Sequence, residues 1–223
     1  MIHFIGDSYA AVTLKEAARR RGLPLTDDMA KADLVFVSQD TPTDNLGNRD
    51  LNPIEELVRF VPIDMPLVIT SQVPPGFCDR MRIGRAAHRT YHQAETLRTT
   101  GDGAERAMHP EMFIIGCEDR HANYLTDFPL AYYDYLHAFD CPILRMTFRD
   151  AEFAKLAINM TLASQVDNAN RLSEAAVKCG ADWGRVANAL RHDSRIGKYA
   201  YLTPGSWKKS PHLLRDFVTM GSL

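Results

Sequence analysis

Short apolar runs alternate with segments of helical spacing through the first two thirds of the chain. Residues 2–5 (IHFI) are an apolar run that stops at Gly6 and predict a strand. A helix is predicted from about Tyr9 to Arg21, stopped by Gly22, a residue that tolerates positive φ. After LPLT and Asp27-Asp28 comes MAKADLVFV, whose LVFV has the unbroken hydrophobicity of a buried strand. The loop TPTDNLGNRD leads to a helix around Pro53–Phe60, and LVIT at 67–70 and FIIGC at 113–117 are further apolar strands. Strands alternating with helices predict an α/β fold with a Rossmann-like parallel sheet.

From Ala151 the period changes. Phe153, Leu156, Met160, Ala163, Val166, Ala169 and Leu172 recur every three or four positions up to Gly180, which predicts one helix of about 30 residues. That exceeds the usual globular length, so the helix is expected to support a homodimer interface. A second helix is predicted near Trp183–His192. The boundary falls near residue 148, giving a shortened Rossmann-like domain at 1–147 and a helical dimerisation segment at 148–223.

The balance of 26 basic and 28 acidic residues leaves a net charge of −2, without the footprint of a nucleic-acid binder. Arg19-Arg20-Arg21 and Lys208-Lys209 read as solvated faces. No apolar run approaches the ~18 residues of a membrane span, and the N-terminus reads as a strand rather than a signal peptide. The expected setting is the cytoplasm, with neither nucleic acid nor membrane as partner. Cys78, Cys117, Cys141 and Cys179 lie far apart without a metal spacing, so reduced thiols are expected. His88 and His92 are spaced i, i+4, but nothing around them completes a metal shell, and no metal is expected.

IHFIGDSYAAV has the layout of a strand–turn–helix dinucleotide site, Gly6-x-Ser8-x-x-Ala11, with Tyr9 opening the helix. Only the first position is glycine. Ser8 puts a side chain where pyrophosphate should approach, and Asp7 puts a negative charge beside it. Asp27 and Asp28 stand at the distance of a ribose-binding acid, yet too few residues separate them from LVFV for a crossover. Either they are the ribose site, or they cap the next turn and the usual second strand is deleted.

Several segments together resemble the UDP-glucose/GDP-mannose dehydrogenase family of nucleotide-sugar 6-dehydrogenases. LVFVSQDTPTD is similar to the family's strand and TPT loop, and ITSQVPPG to its STVPxG turn. YHQAETLRTTGDGAERAMHPEMFIIG resembles its (N/S)PEFLxxG segment, and AEFAKLAINMTLASQVDNANRLSEAAVKCGAD its central helix AExxKxxxNxxLAxKIxxxNE. HDSRIG matches DxRIG, and Pro204-Gly205 with Asp216 matches the ends of PGxGxGGxCxxKD without a gap.

The resemblance implies NAD as cofactor and a four-electron oxidation of a sugar CH₂OH to a carboxylate through a cysteine-bound thioester. It implies that Lys155 and Asn159, i and i+4 on one helix face, stabilise the oxyanion and that Glu95 assists proton transfer, although Ala94 replaces the preceding proline. An ion pair between Lys155 and Glu152 on a solvated helix is the alternative for that lysine. Thr41 and Pro42 of the TPT loop, and Ser71 and Gln72 of the turn, fall at cofactor positions, with Gln72 in place of threonine. Arg195 and Arg215 fall at substrate-binding positions, and Asp216 matches the catalytic-loop aspartate.

His212 stands where the family has its cysteine, Arg215 where it has lysine, and Trp207, Lys209 and Ser210 where it has glycines. An imidazole forms no thioester, so the full oxidation is not expected. Two functions remain open: a single alcohol/aldehyde hydride transfer with His212 as base, or a non-catalytic dimeric scaffold. Family members continue into a nucleotide-sugar-binding domain that is not expected within these 223 residues. The substrate is then a smaller alcohol, or a nucleotide sugar recognised with a partner chain.

Overall fold

The computed structural model describes residues 1–85, 89–97, 103–118 and 128–222, apart from the side chains of Lys209 and Pro211. His88 and residues 98–102 of the segment resembling (N/S)PEFLxxG lie outside the described residues.

The chain divides into two units, Met1–Pro42 with Arg49–Lys155, and Thr43–Asn48 with Leu156–Leu223. The division falls inside the long helix, between Lys155 and Leu156.

The first unit is built on a sheet with strand order β1 (Ile2–Ile5), β2 (Leu34–Val37), β3 (Leu67–Ile69), β4 (Thr90–Gln93), β5 (Phe113–Cys117) and β6 (Ile143–Thr147). β1 through β4 run parallel, but β5 pairs antiparallel to β4 and then parallel to β6. The sheet is the expected Rossmann-like one with parallel pairs dominant, and the β4–β5 pair makes it mixed. β4 (TYHQ) and β6 (ILRMT) escape the apolar pattern because polar residues interrupt them, yet all four β4 residues are buried between neighbouring strands.

Alternation along the strands splits the core. Phe4, Leu34, Phe36, Val68, Tyr91 and Ile115 face one side, against Leu14, Ala17 and Ala18 of α1 (Tyr9–Arg20) and Tyr132, Tyr135 and Leu136 of α5 (Leu130–His137). Val35, Val37, Leu67 and Ile69 face the other, against Ile54 and Val58 of α2 (Asn52–Phe60) and Phe77 of α3 (Phe77–Met81). Each fully buried Phe or Leu here contributes about 2 kcal/mol from removing apolar surface from water. A short α4 (Gly103–Met108) packs beside α1.

The second strand of a full dinucleotide fold is reduced to one bridge. Leu25 pairs with Ile2, the Ile2 amide donates to Pro24 O at 2.8 Å, and the Thr26 amide donates to Ile2 O at 3.0 Å. The chain then makes a single 3₁₀ turn at Met29–Lys31 and enters β2.

α6 (Phe148–Cys179) is the long helix expected from the apolar period, ended by Gly180 at φ 73°. In the second unit its latter part packs with α7 (Trp183–His192), a 3₁₀ turn at Trp207–Lys209 and α8 (Pro211–Gly221). Of residues 203–216, which match the family's catalytic loop in sequence, Trp207–Lys209 form the 3₁₀ turn and the part from Pro211 onward belongs to α8. Asp44 folds the hexapeptide Thr43–Asn48 on itself by accepting from the Leu46 and Asn48 amides at 2.9 and 2.8 Å. Gly47, at φ 89°, lies flat on α8, where a Cβ would come within 2.6 Å of Val218.

Among the described residues no helix is long and apolar enough to cross a membrane, and no group of His, Cys, Asp and Glu could hold a metal ion.

Candidate functional site

At the β1–α1 turn, Gly6 has φ 102° and presses on β2, where a Cβ would lie 2.0 Å from Ser38 O. Only glycine satisfies both demands. Ser8 turns inward, away from the space its sequence position suggested. Its Oγ accepts from the Ala11 amide at 3.0 Å as the α1 cap and shares a 2.7 Å hydrogen bond with Ser38 Oγ. The Tyr9 hydroxyl lies against Gly103, which has no room for a Cβ there. The amides of Tyr9 and Ala10 open the helix and have no acceptor among the described residues. With the positive end of the helix dipole, this donor set suits one phosphate group of a dinucleotide.

Asp7 acts against it. Its carboxylate accepts from Gln39 Nε2 at 2.6 Å, and its own amide donates to Gln39 Oε1 at 3.3 Å. No periodicity or motif in the sequence marks Gln39 for this role.

The Asp27-Asp28 pair splits. Asp28 caps the 3₁₀ turn through the Ala30 amide at 3.0 Å. Asp27 takes Lys15 of α1 at 2.6 Å, a hydrogen bond that holds its carboxyl below the usual range. The turns after β2 and β3 adjoin one another. The Gln39 amide donates to Ser71 Oγ at 2.8 Å, while Thr41 Oγ1 and Arg49 Nη1 converge on Gln72 O at 3.5 and 3.0 Å. Pro42 is exposed, and its carbonyl accepts from the Asp50 amide. Arg49 has no counterpart among the expected residues.

Glu95 follows β4, and its carboxyl accepts from the Leu97 amide two residues on. Glu152 corrects the ion-pair alternative for Lys155. It is only 1% exposed and accepts from the Gly76 and Cys78 amides at 2.5 and 2.7 Å, capping α3. Burial pushes its carboxyl above the usual range against the pull of those hydrogen bonds. Lys155 is half-buried one helical turn before Asn159 in α6. The AE of AEFAK marks Glu152 in the sequence, although not its partner.

His92, on a strand rather than a helix, is buried with Nδ1 on Ile69 O at 3.0 Å; desolvation lowers its pKa to about 4. That environment suits a neutral core imidazole, not a metal ligand.

In the second unit the positions matching the family loop are held by α6. Asn170 clamps Gly205 by donating to its carbonyl and accepting from its amide, each at 2.8 Å. Asp167 accepts from Trp207 Nε1 at 2.8 Å, which turns that bulky residue into an anchor. α8 then buries Arg215 and Asp216, and Asn159 Nδ2 donates to Asp216 Oδ2 at 2.6 Å. His212 is exposed in the first turn of α8. Arg195 is exposed and held by Asp193 through two hydrogen bonds of 3.0 and 2.7 Å.

None of the four cysteines forms a disulfide. Cys78 is fully buried, and desolvation, helped by the neighbouring Glu152, pushes its thiol up, away from thiolate chemistry.

Residues 149–208 match the model for the central domain of the UDP-glucose/GDP-mannose dehydrogenase family. A UDP-glucose 6-dehydrogenase of Bacillus subtilis is 28% identical over 184 residues, covering 76% of this chain and 39% of the relative. One of Rickettsia typhi is 25% identical over 222 residues, covering 94% of this chain and 50% of the relative. The chain thus spans half or less of the length of these two relatives. A UDP-glucose dehydrogenase structure from Pyrobaculum islandicum shares the fold, with a TM-score of 0.74 at 24% identity over 99% of this chain and 63% of that one. Through residues 149–208 and these relatives, the chain is similar to the UDP-glucose/GDP-mannose dehydrogenase family.

Proposed function

We propose that the protein is an NAD-dependent oxidoreductase that carries one hydride transfer between an alcohol and an aldehyde and does not proceed to the acid. The observation that carries this reading is the buried hydrogen bond between Asn159 and Asp216, at the positions matching the family's helix asparagine and loop aspartate. A buried polar pair of this kind is costly to keep without use. The thiol that acid formation requires is replaced by the imidazole of His212.

NAD, held by the first-turn amides of α1, would supply the hydride acceptor when bound. His212 takes the hydroxyl proton. Lys155 and Asn159 steady the oxygen as charge develops on it, and Glu95 assists proton movement. Arg195 and Arg215 hold an anionic part of the substrate, a nucleotide sugar or a smaller alcohol. Dinucleotide binding draws on the first-turn amides of α1 and on the turns carrying Thr41, Pro42, Ser71 and Gln72. The protein works as a homodimer through α6, where Phe153, Leu172 and Val177 are exposed in the single chain.

The test is NADH absorbance with UDP-glucose and a panel of smaller alcohols, an aldehyde trap present, followed by product analysis. Reduction with trapped aldehyde and no carboxylate is expected. Carboxylate formation, or silence across the panel with NAD bound, overturns the reading. A non-catalytic dimer is the second reading, favoured by the Asp7–Gln39 pairing across the phosphate end of the turn. It is upheld if the folded dimer binds no dinucleotide.

A further inference from the structure

A turn that receives pyrophosphate presents unspent amides and no negative charge. Here the Asp7 amide is spent on Gln39 Oε1, and the Asp7 carboxylate is held in place by Gln39 Nε2. Three features keep this arrangement from being a loose surface contact. Gln39 is tied through its own amide to Ser71 Oγ at 2.8 Å. Gly6, immediately before Asp7, is pressed on the Ser38 carbonyl, with no space for even a Cβ. Ser8, immediately after it, is locked by the Ala11 amide and Ser38. Both main-chain neighbours of Asp7 are thus fixed, and so is the backbone preceding Gln39.

We infer that Asp7 and Gln39 form a clasp that occupies the phosphate end of the dinucleotide site, so that a dinucleotide binds only by displacing Gln39 and against the Asp7 charge. This inference rests on the dinucleotide reading above and deepens it by naming the residues that limit affinity. The clasp acts twice. It removes a donor from the phosphate, and it leaves a carboxylate beside the amides that remain. A single charge at such a distance in a partly solvated setting changes affinity by about tenfold.

The experiment is NADH fluorescence titration of the full chain and of Asp7→Gly, Asp7→Asn and Gln39→Ala, with circular dichroism confirming the fold of each. Both positions lie outside the two core clusters, Asp7 exposed and Gln39 partly buried. Asp7→Gly is expected to tighten binding by about tenfold or more, and Asp7→Asn by several-fold. The Asp7→Asn gain is expected to shrink as salt is raised, because a screened charge repels less. Gln39→Ala, which frees the amide but keeps the charge, is expected to tighten binding only slightly.

If the native chain binds NADH and none of the variants binds more tightly, the clasp is overturned and the dinucleotide reading stands. If the native chain is silent and Asp7→Gly binds, the clasp is upheld and the native chain loses its hydride-transfer reading. If none binds, both fall.

Discussion

Asn159 and Asp216 lie 57 residues apart in sequence and share one hydrogen bond of 2.6 Å, with both side chains buried. It ties α6 to α8. Loss of the amide by Asn159→Ala removes a donor from a buried carboxyl group, a change worth about 1.5–3 kcal/mol. Asn159→Asp is expected to cost more, since two carboxyl groups would then meet away from water. Urea unfolding of the two variants checks the order.

Glu152 predicts a pH dependence with a definite sign. Its carboxyl is raised from 4.5 in the folded chain, chiefly by burial, so the folded state holds the proton more tightly than the unfolded state. Its contribution to stability is full below about 4.5, the unfolded value, and is lost as pH rises through the raised folded value. Glu152→Gln is expected to flatten that part of the stability profile. Parallel urea titrations of both proteins from acid toward neutrality measure the difference.

His92 works in the opposite direction. Desolvation lowers its pKa from 6.5 to about 4, so its contribution is present above 6.5 and lost as pH falls toward 4. Its imidazole NMR resonances are expected to stay in the neutral form at pH 5.5. A shift at pH 5.5 with the fold intact would contradict the buried placement.

The thiols are expected to react in order of exposure. Cys179 is exposed and Cys141 partly so, whereas Cys78 and Cys117 are buried. Mass spectrometry after a short iodoacetamide pulse should find Cys179 modified first and Cys78 only after denaturation. Rapid labelling of Cys78 in the native protein would reopen thioester chemistry.

Gly47→Ala combines a positive φ with a Cβ 2.6 Å from Val218. The expected loss is about 1–3 kcal/mol, read from thermal or urea unfolding. Asp44→Ala, which removes the acceptor for the Leu46 and Asn48 amides, is expected to loosen the same hexapeptide without the steric conflict.

The strands that were plain in the sequence are those whose side chains are apolar on both faces, such as LVFV at β2. β4 was hidden because Thr90, His92 and Gln93 are polar and are buried by their neighbours rather than by their own hydropathy. The reversal at β5 left no local trace, since an antiparallel pair and a parallel pair draw on the same residues. The short connection before β2 left a ribose site and a deleted strand equally open in the sequence, and the chain there makes only the Leu25 bridge to Ile2. Helical spacing placed Lys155 and Asn159 one turn apart, but the role of Gln39 depends on a partner from another strand, and Asn170 on a loop 35 residues away.

Because Thr43–Asn48 is grouped with Leu156–Leu223, the second unit is discontinuous along the chain. A protein expressed from residue 148 onward would lack six residues of its own packing and would leave Leu214 and Val218 bare where Gly47 now lies. No single cut releases this unit whole, so dissecting the molecule into independently studied halves requires grafting the hexapeptide back.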